Sequence, residues 1–205
     1  MQNLKEALTE VRKSYRMIHS YQRRILDMTN YIIEKMDYKS YWWDNEYFNV
    51  RSNRLPSDRW AYDSMPLYMG SGMLYLHKDI DYGTVKIGEG LLEIQFDADS
   101  GFNYSKAEPE TSTFRDAEDC HSYLYLGAIC GLKEEKKNWL DNIFYETTYP
   151  KVLESNIIYT SLQYPYILFR ARYDLSEIEE ENDLKRIIEI FQTKIIDELA
   201  KESKL

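Results

Sequence analysis

Residues 4 to 36 carry an apolar seam without a break. Leu4, Leu8, Val11, Tyr15, Ile18, Gln22, Ile25, Thr29, Ile32 and Met36 follow one another at alternating steps of four and three. That is the a/d spacing of a long amphipathic helix or a coiled-coil seam. No Gly or Pro interrupts it. The spacing predicts one helix over residues 3–37, about 50 Å long at 1.5 Å per residue. A compact body made from 205 residues has a radius of gyration of about 17 Å. The helix therefore either crosses the whole body or projects beyond it. A projecting part leaves apolar positions for another surface to cover. Gln22 and Thr29 are polar seam positions of the kind that fix register in an oligomer. Packed on its own sheet instead, the helix would widen its apolar face with Tyr21, Leu26, Met28 and Ile33.

The rest of the chain reads as sheet closed by a second helix. Residues 38 to 64 are aromatic-dense and irregular, with Trp42, Trp43 and Trp60 among Arg51, Arg54 and Arg59. Such a connection can stack a planar ligand or fold back as a satellite core. Strands are expected within Met65–His77, over Val85–Gly88, and over Gly90–Asp97, Cys120–Cys130, Ile157–Leu162 and Tyr166–Tyr173. A short helix is expected over Lys133–Tyr145. The last helix is expected to start from a capping box of Ser176 and Glu179 and to bury Leu184, Ile187, Ile188, Phe191, Ile195 and Leu199. No strand–helix alternation demands a parallel sheet. The fold class is α+β: a long N-terminal helix (1–38), then a single α+β domain (39–205) with a mainly antiparallel sheet of about five strands and a C-terminal helix.

Composition narrows the function classes. Of the chain, 43% is hydrophobic and 30% charged, a normal globular balance. No apolar run reaches the roughly 20 residues of a membrane helix. The formal charge of −9 disfavours a general nucleic-acid-coating role, which needs surplus Lys and Arg. Cys120 and Cys130, ten residues apart in one expected strand, would lie about 33 Å from each other, too far for a bridge. Two reduced thiols without an export signal point to the cytoplasm.

Four constellations are candidates for chemistry. Glu93, Gln95, Asp97 and Asp99 share one strand face. Clustered carboxylates there suit Mg²⁺ or Mn²⁺, or are simply the wet face of a half-buried strand. Residues 1–24 hold six bases against two acids, a net +4, with Arg12, Arg16 and Arg23 on neighbouring helical turns. Residues 97–119 hold seven acids against two bases, a net −5. An acidic partner, or an acidic patch on another copy, would complement the basic helix. Tyr166, Leu168, Arg170 and Arg172 share a strand face, where paired arginines beside tyrosines bind phosphate or guard a sheet edge. His19, His77 and His121 show no zinc spacing.

The runs Tyr15-Arg16, Tyr21-Gln22-Arg23-Arg24-Ile25-Leu26-Asp27, Trp60-Ala61-Tyr62-Asp63, Asp97-Ala98-Asp99-Ser100-Gly101 and Tyr173-Asp174-Leu175-Ser176 resemble those of uncharacterised bacterial and phage-borne proteins. The resemblance implies a prokaryotic or mobile-element setting and assigns no activity. The residues themselves point to a non-enzymatic binding or adaptor protein that associates with a protein partner or with itself through its N-terminal helix, homo-oligomerisation included. The binding residues would be Arg12, Arg16, Arg23, Trp42, Trp43, Arg170 and Arg172, with no cofactor. Two alternatives stand beside it. One is a Mg²⁺- or Mn²⁺-dependent phosphodiesterase or nuclease using Glu93, Asp97 and Asp99. The other is a nucleotide sensor or sponge using Arg170, Arg172 and the Trp42–Trp43 segment.

Overall fold

The computed structural model describes residues 3–45, 71–77, 80, 83–101 and 114–202. Helix α1 runs Leu4–Met36, as the seam predicts. Asn3 caps it, its Oδ1 accepting from Lys5 N at 3.1 Å. Asp37 ends it in the left-handed region, φ 62°. Six strands follow: β1 Tyr38–Asn45, β2 Ser71–His77, β3 Gly90–Asp97, β4 Tyr123–Gly131, β5 Ile158–Gln163 and β6 Tyr166–Asp174. Helix α2, Glu181–Glu202, closes the order. The strands form one antiparallel sheet in the order β1-β2-β3-β4-β6-β5.

Alternation along the strands divides the core in two. Leu92, Ile94, Phe96, Leu124, Leu126, Ala128, Phe169 and Ala171 point to one face and bury Ile25, Ile32 and Met36 of α1 with Leu184, Ile188 and Phe191 of α2. On the other face Leu74, Leu76, Leu91, Ile129 and Leu168 pack against Trp139 and Ile143. Both helices therefore lie on one side of the sheet. Irregular chain covers the apolar half of the other side.

Several expectations are corrected. The aromatic segment after α1 begins as a strand, because Tyr38 to Asn45 pair along β2. That strand brings the count to six. The remainder of that segment, 46–70, lies outside the described residues. Val85 makes only a single bridge, to Glu135, and not a strand. Between 133 and 145 only Leu140–Phe144 coils, as a π-type turn. Asn138 holds that turn through Oδ1, which accepts from Leu140 N at 2.8 Å and Asp141 N at 3.0 Å. The Ser176–Glu179 box does not form. Asp174 accepts from Ser176 N, and Asp183 accepts from Glu179 N and Glu180 N at the start of α2. Cys120 precedes β4, and both cysteines are free.

Candidate functional site

The seam of α1 changes character at Ile25. From there the helix is held to the body: Ile25, Met28, Thr29, Ile32 and Met36 are buried, and Arg24 Nη2 donates to Ile178 O at 2.6 Å. None of residues 3–24 is buried. Leu4 is 72% exposed and Tyr15 71%, and Leu8, Val11 and Ile18 are also exposed. The first 15 residues of α1, Leu4–Ile18, thus form an arm about 22 Å long with an uncovered apolar stripe, and Tyr21 already packs against the core. A lone helix of this length is marginal in water, because its stability normally comes from packing its apolar face.

The flanks of the stripe differ. Heptad positions on one side hold Lys5, Arg12 and His19; those on the other hold Ala7, Ser14 and Tyr21. Ala7, Val11, Ser14, Tyr15 and Ile18 line a shallow groove with Glu10 at its rim. The small residues Ala7 and Ser14 let another backbone come close. Glu10 is already paired with Lys13 at 2.8 Å. Arg12 reaches Thr9 Oγ1 at 2.9 Å. Arg23 lies 4.0 Å from Asp27, both highly exposed. Arg12, Arg16 and Arg23 all stand in solvent, as their helical spacing suggests. The small flank was overlooked in the sequence, although Ala7 and Ser14 sit seven residues apart beside the seam.

The two other constellations are one. Strand register places Trp42, Leu74, Glu93, Gly127, Arg170 and Tyr159 in a single row across the sheet. Gly127 leaves the gap over which Arg170 reaches Glu93, and the same guanidinium bonds Gln95. Arg170 also lies over the rings of Tyr125, 5.1 Å away, and Tyr149, 4.8 Å away. Arg172 covers Tyr123 at 4.5 Å. Glu93 is only 6% exposed and Asp97 8%. The expectation of a wet acidic face is therefore corrected: β3 is a central strand, and Arg170 and its tyrosines cover that row. The edge-guard reading of Arg170 and Arg172 is corrected too, since β6 lies inside the sheet between β4 and β5.

Burial raises the carboxyl of Asp97 above its usual range, with Asp99 adding to the rise while Arg172 and the Asp99 amide oppose it. Burial likewise lifts the phenols of Tyr125 and, much further, Tyr149, which also faces Glu93. Asp97 Oδ1 accepts from Asp99 N at 3.2 Å, and Asp99 Oδ1 accepts from Gly101 N at 2.8 Å. Glu93 is turned to Arg170 instead. Among the described residues, no group of three or more His, Cys, Asp or Glu side chains is placed to hold a metal ion. Trp42 packs edge-on against Tyr145 at 6.3 Å. Four strand spacings, about 19 Å, separate it from Arg170. The structure does not bring Trp42 to Arg170 and Arg172. The side chain of Trp43 lies outside what the structure describes.

The tightness of the row gives a measurable expectation. A Cβ built on Gly127 would stand 2.8 Å from Tyr149 Cζ and 2.9 Å from its Oη. Gly127→Ala is expected to cost about 1–3 kcal/mol by overpacking. Pairing it with Tyr149→Ala should recover part of that loss in a urea-unfolding double-mutant cycle. Additive losses would mean that the ring does not bear on Gly127.

Among the described residues, no helix is long and apolar enough to cross a membrane. The family model described as PM0109 matches residues 1–200. The "Uncharacterized protein PM0109" of Pasteurella multocida (strain Pm70) is 23% identical over 190 residues, which cover 89% of this chain and 89% of that protein. No solved structure matches the chain.

Proposed function

This chain belongs to the PM0109 family, and we propose that it is a non-enzymatic binding protein whose α1 arm docks an acidic amphipathic helix of a partner protein. The observation that carries the reading is the uncovered stripe of Leu4, Leu8, Val11, Tyr15 and Ile18 on a helix held to its own body from Tyr21 onward. The family match runs through the arm as well as the body.

Charge selects the occupant. Residues 1–24 carry a net +4 in a chain of −9, and no acid occupies the heptad positions directly beside the arm's seam, Glu10 at the groove rim being paired with Lys13. A partner with apolar seam residues and Glu or Asp at the flanking positions covers the stripe and meets Lys5 and Arg12. A second copy fits less well. The sheet covers the seam from Ile25 onward, so an antiparallel pair of arms keeps the two bodies at opposite ends. That arrangement sets Arg12 against Arg12 of the other copy.

The test uses the full chain and a synthetic three-heptad peptide with Leu at a and d and Glu at e and g. Binding followed by calorimetry should weaken with salt. Val11→Asp should abolish it. The double change Arg12→Glu with Arg16→Glu should weaken it by roughly tenfold or more. No binding, equal binding of a peptide with Lys in place of Glu, or a dimer that Val11→Asp dissolves would each overturn the reading.

A further inference from the structure

We infer that the outer edge of β5 pairs antiparallel with β5 of a second copy of this chain, joining two six-stranded sheets into one. The two ends of the sheet are unlike. At one end β1 breaks its register between Ser40 and Trp42, and it carries Lys39, whose Nζ donates to Ile80 O at 3.3 Å. A bulge and a lysine are the usual protections of an edge against pairing with another chain. At the other end β5 has neither. Its six residues Ile158-Tyr-Thr-Ser-Leu-Gln163 include no charge and no Pro. They keep unbroken register with β6 from Ile158↔Ala171 to Gln163↔Tyr166. Among the described residues no strand pairs with the far side of β5.

Apolar surface continues past the edge. Leu162, near one end of β5, is 57% exposed, and Ile157, just before its other end, is exposed too. Ile157 and Ile158 line a groove against α2 together with Ile190, which is 54% exposed. The charges around that groove are of both signs, Glu189 and Asp197 with Lys194. A surface that carries both signs beside an unpaired strand can meet its own copy by a twofold rotation without net repulsion. Antiparallel pairing of identical strands is the pairing that such an axis produces. The commitment to a second copy rests on this self-complementarity, and it is independent of the arm.

The full chain should elute as a dimer by light scattering at micromolar concentration. Leu162→Lys with Ile190→Glu, two changes at exposed positions, should make it monomeric with an unchanged thermal melt. In hydrogen exchange, outward amides of β5 should exchange roughly tenfold or more slower in the dimer than in that variant. A chain that stays monomeric throughout, or a dimer that survives both charges, would overturn the inference. So would dissociation by Val11→Asp in place of the edge variant, which would place the dimer contact on the arm. Protection of β5 by an added extended peptide, with no dimer, would assign the edge to another ligand and likewise overturn it.

Discussion

Arg170→Ala is expected to destabilise the fold by about 3–5 kcal/mol, read as a fall in the urea midpoint at constant slope. The size follows from what the guanidinium leaves behind. Its side chain is 12% exposed and that of Glu93 8%. A surface ion pair contributes only about 0–1 kcal/mol. Here truncation strands a carboxylate, takes a bond from Gln95 and removes a cation from between Tyr125 and Tyr149. The companion double variant, Glu93→Leu with Arg170→Leu, removes both charges and should cost less than Arg170→Ala alone. That ordering distinguishes a stranded charge from a mere loss of packing. An Arg170→Ala loss below about 1 kcal/mol would show that water reaches Glu93 freely.

Trp139→Ala should be comparably damaging, about 3–5 kcal/mol. Trp139 is fully buried and is among the largest side chains on the face away from the helices. Irregular chain supplies it, held by the two-bond bridge between Val85 and Glu135, by Asn138 at the π-type turn, by Tyr41 Oη donating to Asn138 Oδ1 at 3.1 Å, and by Tyr166 Oη donating to Glu135 Oε2 at 3.0 Å. The site has little means of collapsing around a cavity, because one wall is the sheet. Trp139→Phe should lose much less. Calorimetric melting would show the difference. Binding of the acidic peptide below the melting temperature should be unchanged in both, since the arm touches none of these residues.

Periodicity carried the parts of this protein that the chain encodes locally. The four-three seam gave α1 its extent, and the period-two alternation of β3 and β6 gave their faces. Those patterns persist because each residue's direction follows from its neighbours along the chain. Tyr38 to Asn45 escaped because their aromatic run has no clean alternation and pairs across a bulge at Tyr41. Lys133 to Tyr145 looked helical because Trp139, Leu140, Ile143 and Phe144 are spaced like a helical stripe. The structure uses only Leu140–Phe144 of it as a turn.

The sequence by itself determined that a long amphipathic helix must find cover for its seam and that an acidic strand face lies in the middle of the chain. Only the tertiary structure decided where cover is supplied. It covers the seam from Ile25 to Met36 and leaves Leu4 to Ile18 bare, a split invisible in an even heptad pattern. It also decided that Glu93 and Gln95 of β3 and Arg170 of β6, 77 and 75 residues apart, form one largely buried network. The reason is register: β4 lies between them with Gly127 in the shared row. Contacts at such separations depend on strand order, which side-chain alternation does not encode.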